Sequence, residues 1–117
     1  MTIGIIGLGY VGLPLAVAFA KKYTVWGLDI NSHRIECLNK YQDETREITS
    51  EELQKVVGQS LYLDTQIQAL AGCDVLIVTV PTPVSETKIP DLNPLIKASE
   101  AVADILKKEA IVVYEST

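Results

Sequence analysis

Three glycines at the end of the first apolar run, in Gly7-Leu8-Gly9-Tyr10-Val11-Gly12, constrain this chain more than any other feature. Thr2 to Ile6 is short, β-branched and apolar, as a buried parallel strand is, and Val11 to Lys22 sets Leu15, Ala16, Phe19 and Ala20 at helical spacing. The segment therefore predicts strand, tight turn and helix in succession. Gly7 permits the turn, Gly9 removes the Cβ that would hold a ligand off the backbone, and Gly12 lets helix and strand pack closely. The next strand, Thr24 to Leu28, ends at Asp29, seventeen positions after Gly12. A glycine turn, a helix N-terminus with free N–H groups and an acid at the end of the second strand form the pattern of a dinucleotide-binding unit. The pyrophosphate meets the helix and the adenine ribose meets the carboxylate. That carboxylate accepts from a free ribose hydroxyl and repels a 2′-phosphate, so NAD is expected in preference to NADP.

Each of these residues has a second reading. Asp29 also suits a helix cap, but Asn31 is placed to cap the following helix and leaves Asp29 for the ligand. Arg34, one turn into that helix, either reaches the adenosine end or is a solvated helix residue. His33 is the only histidine and reads as structural or solvated. Cys37 and Cys73 lie far apart, without evident ligand-type neighbours, and read as buried thiols; no metal site is expected.

Downstream the elements alternate as in an α/β domain. Asn31 to Tyr41 reads as a helix with Ile35 and Leu38 inward, and Gln42 to Glu47 as a surface connection. Thr49 and Glu52 form a capping-box pair opening a helix through Val57, stopped at Gly58. Leu61 to Leu63 is a short strand, Ile67 to Leu70 a helical turn, and Asp74 to Val80 a central strand. Pro81 to Pro90 contains three prolines and reads as a loop. Asn93 as cap and Pro94 at the first helical position announce a helix to Lys108, with Leu95, Val102, Ile105 and Leu106 inward and Lys107 and Lys108 at its negative end. Ala110 to Tyr114 is the last strand.

The expected fold is an α/β, Rossmann-type doubly wound parallel sheet, in which ligands bind beyond the carboxyl ends of the strands. Thr82, in Val80-Pro81-Thr82-Pro83, and Ser116 and Thr117 after the last strand then face the crevice. The other reading of Thr82 is a rigid proline-bounded loop, and Ser116 and Thr117 pose the same choice between a structural role and a ligand contact, their place at a strand end favouring a contact by at least one of them. With 117 residues, 48% of them hydrophobic, the chain has material for one core. A net charge of −5 without a basic cluster excludes nucleic acid and an anionic membrane as expected partners. Neither a cleavable leader pattern nor a run of membrane-spanning length is evident, and a cytoplasmic location is expected.

Four segments together resemble a known family. Gly-Tyr-Val-Gly-Leu-Pro-Leu-Ala at 9 to 16, Val-Pro-Thr-Pro at 80 to 83, Asp-Leu-Asn-Pro-Leu-Ile at 91 to 96 and Tyr-Glu-Ser-Thr at 114 to 117 are similar to the N-terminal domain of the UDP-glucose/GDP-mannose dehydrogenases. Asp43-Glu44-Thr45-Arg46-Glu47 resembles the branch acting on UDP-N-acetylhexosamines. The resemblance implies oxidation of a sugar C6 alcohol to a carboxylate in two NAD-dependent steps, through a thiohemiacetal and thioester on a cysteine. By position, Tyr10 and Val11 offer backbone to the pyrophosphate, Asp29 and Arg34 hold the adenosine end, and Thr82 contacts the cofactor. Thr117 matches a threonine near the reacting centre. The family's catalytic cysteine, lysine and asparagine, its dimerising central helix and its C-terminal UDP-sugar domain have no counterpart here. The resemblance thus implies residues 1–117 as the NAD-binding part of a longer, homodimeric or larger enzyme, binding NAD without turning over a UDP-sugar alone. A 3-hydroxyacid or 6-phosphogluconate type of dehydrogenase and a non-enzymatic nucleotide-sensing module remain as alternatives.

Overall fold

The computed structural model describes residues 1–80 and 92–115. Five parallel strands form one sheet in the order β3-β2-β1-β4-β5. They are β1 (Thr2–Ile6), β2 (Thr24–Leu28), β3 (Leu61–Asp64), β4 (Val75–Val78) and β5 (Ile111–Tyr114). The chain runs outward from β1 to one edge through β2 and β3, then crosses to β4 and ends at β5 on the other edge. The reversal of direction falls between β1 and β4, whose register pairs Ile6 with Val78. This is the switch point at which a doubly wound sheet opens a crevice beyond its strand ends.

The apolar runs are buried because both faces of the sheet are covered. On one side α1 (Gly12–Ala20), α2 (Ser32–Asn39) and α3 (Ser50–Val56) pack Leu13, Val17, Leu38, Leu53 and Val56 onto Ile3, Ile5 and Val25. On the other, a 3-10 turn (Ile67–Leu70) and α4 (Asn93–Ile105) set Leu70, Ala98 and Val102 against Ile6, Leu28, Leu76 and Val78. Successive residues of β1 thus serve opposite layers, the period of two that a strand buried on both faces requires.

Local chemistry fixes most element ends. Asn31 caps α2, its Oδ1 accepting from the N–H groups of His33 (3.0 Å) and Arg34 (3.3 Å). Thr49 caps α3, its Oγ1 accepting from the N–H of Glu52 at 3.2 Å, and Gly58 beyond that helix has φ +80°. Removing this cap by Thr49→Ala is expected to cost about 1 kcal/mol, a fall in Tm of roughly 3–6 °C by thermal unfolding.

The structure corrects several expected boundaries. α1 closes at Ala20, not Lys22, because the N–H groups of Lys22 and Tyr23 both turn back to the Phe19 carbonyl. α2 closes at Asn39, not Tyr41, which takes a left-handed φ of 63°. α4 has Leu92, not Asn93, as its N-cap, and it ends at Ile105. Lys107 therefore lies past the helix, where its Nζ pairs with Asp74 Oδ1, and Leu106 is exposed, not inward. Ile111 and Tyr114 on the edge strand β5 are also exposed. The expected loop Pro81–Pro90, with Thr82, lies outside the described residues, as do Ser116 and Thr117. Among the described residues no helix is long and apolar enough to cross a membrane.

Candidate functional site

The turn after β1 is held from three directions. Gly7 adopts φ +97°, a left-handed conformation open to glycine, and its N–H donates to the Leu28 carbonyl at 2.8 Å. Thr79, at the end of β4, is buried, and its hydroxyl lies 2.7 Å from the Gly7 carbonyl and 3.0 Å from that of Ile6. Leu8 is fully buried and anchors the loop to the core, while its N–H donates to Asp29 Oδ2 at 3.1 Å. Gly12 closes the turn: a Cβ there would lie 2.8 Å from the Gly7 carbonyl carbon and nearer still to its oxygen. A hydrogen is the only substituent that lets α1 start this close to β1.

Beneath the loop stands Arg34. Its Nε and Nη2 both donate to the Leu8 carbonyl, at 2.9 and 2.7 Å, and its Nη1 donates to Asp43 Oδ1 at 2.8 Å. In a trans peptide the C=O and the next N–H point in opposite directions. Gripping the Leu8 carbonyl from below therefore turns the Gly9 N–H outward, away from the core. Arg34 is 8% exposed and is not among the residues lining the crevice; within the chain its guanidinium grips the loop that would carry the ligand.

Asp43 makes that grip rigid. Its side chain is wholly buried, and the stretch from Gln42 to Glu47, expected as a plain surface connection, is organised around it. Oδ1 accepts from the N–H and hydroxyl of Thr45 as well as from Arg34, and Oδ2 accepts from the N–H groups of Glu47 and Ile48 at 2.8 and 2.9 Å. Burial by itself would raise the pKa of this carboxyl. The hydrogen bonds from Thr45, Arg34 and the Ile48 N–H outweigh burial and bring it down to about 2.

Above these supports lies a crevice of about 830 Å³. Gly7, Gly9, Tyr10, Val11 and Asp29 line it together, with Ile6, Leu28, Ile30 and Ile67 as apolar wall and Ala98 and Ala101 of α4 opposite. Gly12, the remaining predicted glycine, is buried behind the turn and shapes it from there. The first turn of α1 carries no acidic side chain, and Val11 at its N-cap offers no capping side chain to the free N–H groups. Asp29 accepts one backbone N–H on each oxygen, from Leu8 and from Asn31 (3.0 Å). A carboxylate offers about four acceptor sites, so two remain for ribose hydroxyls.

These features fit a dinucleotide. A Cβ on Gly9 would meet nothing within 4 Å, so the space over the loop backbone is open where a pyrophosphate must approach. The helix N-terminus lies alongside, and the acid stands at the end of β2. Sequence reasoning missed two supports of the site. Thr79 reads only as one more residue of the run Asp74 to Val80, and Asp43 only as one acid among several. It also missed a cluster: Cys37, expected without ligand-type neighbours, has its Sγ 3.5 Å from His33 Nε2 and 3.2 Å from Glu44 Oε1.

Comparison with known proteins agrees with this geometry. The chain is 51% identical over 117 residues to the UDP-N-acetyl-D-glucosamine 6-dehydrogenase of Pseudomonas aeruginosa, covering 100% of the chain and 27% of that protein. It is 37% identical over 117 residues to the UDP-N-acetyl-D-mannosamine dehydrogenase of Yersinia pestis, covering 99% of the chain and 28% of that protein. Its fold superposes on the UDP-D-ManNAc dehydrogenase of Pyrococcus horikoshii with a TM-score of 0.93 at 37% identity, covering 100% of the chain and 28% of that structure. The chain thus spans between a quarter and a third of the length of these relatives. Residues 1–117 match the family described as UDP-glucose/GDP-mannose dehydrogenase family, NAD binding domain, and with the glycine turn, the open loop backbone and Asp29 in place the chain belongs to that family as its NAD-binding domain.

Proposed function

We propose that residues 1–117 are the cofactor half of a longer enzyme that oxidises the C6 alcohol of a UDP-N-acetylhexosamine to a carboxylate in two NAD-dependent steps. The observation that carries the cofactor half is the crevice uniting the glycine loop with Asp29. The substrate class is supported by relatives named for UDP-N-acetylglucosamine and UDP-N-acetylmannosamine, at 51% and 37% identity. NAD supplies the hydride acceptor; the residues of this chain bind and orient it. The N–H groups of Gly9, Tyr10 and Val11 meet the pyrophosphate, Asp29 accepts from the adenine ribose, and Arg34 positions the loop through the Leu8 carbonyl. Thr82, Ser116 and Thr117 belong to the proposal by motif, Thr82 and Ser116 toward the cofactor and Thr117 toward the reacting centre. A cytoplasmic location belongs to the same reading, supported by use of a diffusible dinucleotide, and a homodimeric or larger parent belongs to it by the family resemblance alone.

Calorimetric titration of the chain with NAD and NADP tests it. NAD is expected to bind and NADP to bind more weakly. Asp29→Ala removes hydrogen bonds to a charged group, worth about 1.5–3 kcal/mol, and should weaken NAD roughly 10- to 150-fold in a chain that still unfolds cooperatively. Failure of the folded chain to bind NAD, equal affinity for NADP, or indifference to Asp29→Ala would overturn the assignment. The chain by itself is expected to show no turnover of a UDP-sugar.

A further inference from the structure

Outside the crevice lining, at α2 and the connection that follows it, three side chains of different ligand type converge. His33 and Cys37 are four residues apart and so share one face of the helix, and the following connection brings Glu44 back to them. Nε2 to Oε1 is 2.8 Å, Sγ to Oε1 is 3.2 Å and Sγ to Nε2 is 3.5 Å. Zinc bonds of about 2.3 Å to sulfur and 2.0–2.1 Å to nitrogen and oxygen, set tetrahedrally, place such atoms roughly 3.3–3.6 Å apart. The two sulfur spacings lie within about 0.4 Å of these values, and Nε2–Oε1, a hydrogen bond at 2.8 Å, opens by about 0.5 Å when the ion replaces it. The side chains of His33 and Glu44 are 69% and 57% exposed, which leaves the fourth corner to water.

The donors are held in place by the structure around them. Asn31 fixes the start of α2, and Asp43, locked by its five hydrogen bonds, fixes the backbone next to Glu44. We propose that His33, Cys37 and Glu44 form a binding site for a zinc-class divalent cation. Binding forms one metal–sulfur, one metal–nitrogen and one metal–oxygen bond. The Cys37 thiol releases its proton to solvent, and thiolate plus carboxylate balance the charge of the ion. Without the ion the thiol donates to Glu44. His33 and Glu44 adjoin Arg34 and Asp43 in sequence, so the ion clips the connection to α2 beside the pair that grips the glycine loop.

Titration of the full chain with Co²⁺ under reducing conditions is the test. Expected is saturation at one equivalent, with the visible bands of tetrahedral cobalt and a near-ultraviolet sulfur-to-cobalt charge-transfer band, both bleached by Zn²⁺. Cys37→Ser should abolish the charge-transfer band and Cys73→Ser should keep it. His33→Gln and Glu44→Gln alter exposed side chains, and each should weaken cobalt about tenfold or more in a chain that still unfolds cooperatively. Absence of the charge-transfer band in the parent chain, its survival in Cys37→Ser, or unchanged affinity in both His33→Gln and Glu44→Gln would overturn the site.

Discussion

Gly12→Ala is expected to destabilise the chain by about 3 kcal/mol or more and to lower Tm by roughly 10 °C or more, as read by thermal unfolding. The added methyl has no free direction. It would be driven into the Gly7 carbonyl and the Thr79 hydroxyl, which are bonded to each other and hold the turn after β1. Relief requires moving α1 away from the sheet, which uncovers Leu13, Ala16 and Val17, or giving up the Thr79–Gly7 hydrogen bond. Either movement displaces the N–H groups that face the crevice, so NAD affinity should fall together with stability. Gly9→Ala supplies the contrast. Its Cβ meets nothing within 4 Å, so stability should change by no more than about 0.5 kcal/mol while NAD binding weakens, because the methyl occupies the approach to the backbone. A Gly12→Ala chain as stable as its parent would show that α1 and β1 are not packed as described. A Gly9→Ala chain with undiminished NAD affinity would place the pyrophosphate elsewhere.

The two glycines also mark what a sequence shows of such a site and what it hides. The strand, turn and helix around them were legible because each signal is local: an apolar run, a residue without a side chain, a 3.6-residue period. Asn31 and Thr49 were legible as caps for the same reason. The supports of the loop were not, because they are made by partners that only the fold brings together. Thr79 reads as one more β-former in a central strand until the register pairing Ile6 with Val78 sets its hydroxyl beside Gly7. Arg34 reads as an adenosine contact or a solvated helix residue, and buries its charge only because Asp43 and the Leu8 carbonyl await it. Glu44 joins His33 and Cys37 by the path of a connection whose composition reads as surface. The Lys107–Asp74 pair likewise depends on where α4 stops, and helix ends are the least local of the signals used.

Asp43→Ala should have an effect as large as Gly12→Ala, although Asp43 does not line the crevice. The substitution leaves the 9%-exposed Arg34 side chain without its counter-charge and deprives the N–H groups of Thr45, Glu47 and Ile48 of their acceptor. Removing one partner of a buried ion pair costs about 3–5 kcal/mol. The loss should also weaken NAD, since an Arg34 no longer held by Asp43 is free to release the Leu8 carbonyl that orients the Gly9 N–H. The same carboxylate predicts a pH dependence. Its pKa is lowered from an ordinary 3.8 to about 2 in the fold, so the unfolded chain takes up this proton first as pH falls. The stabilisation is present in full above about pH 4, and is lost as pH drops through about 2. Chemical denaturation of the parent and of Asp43→Asn across that window isolates the contribution: the parent should lose stability with falling pH more steeply than the variant, which has no carboxylate to titrate. An Asp43→Ala chain within about 1 kcal/mol of the parent, or parallel pH profiles for parent and Asp43→Asn, would show that Arg34 keeps its grip on the glycine loop without this partner.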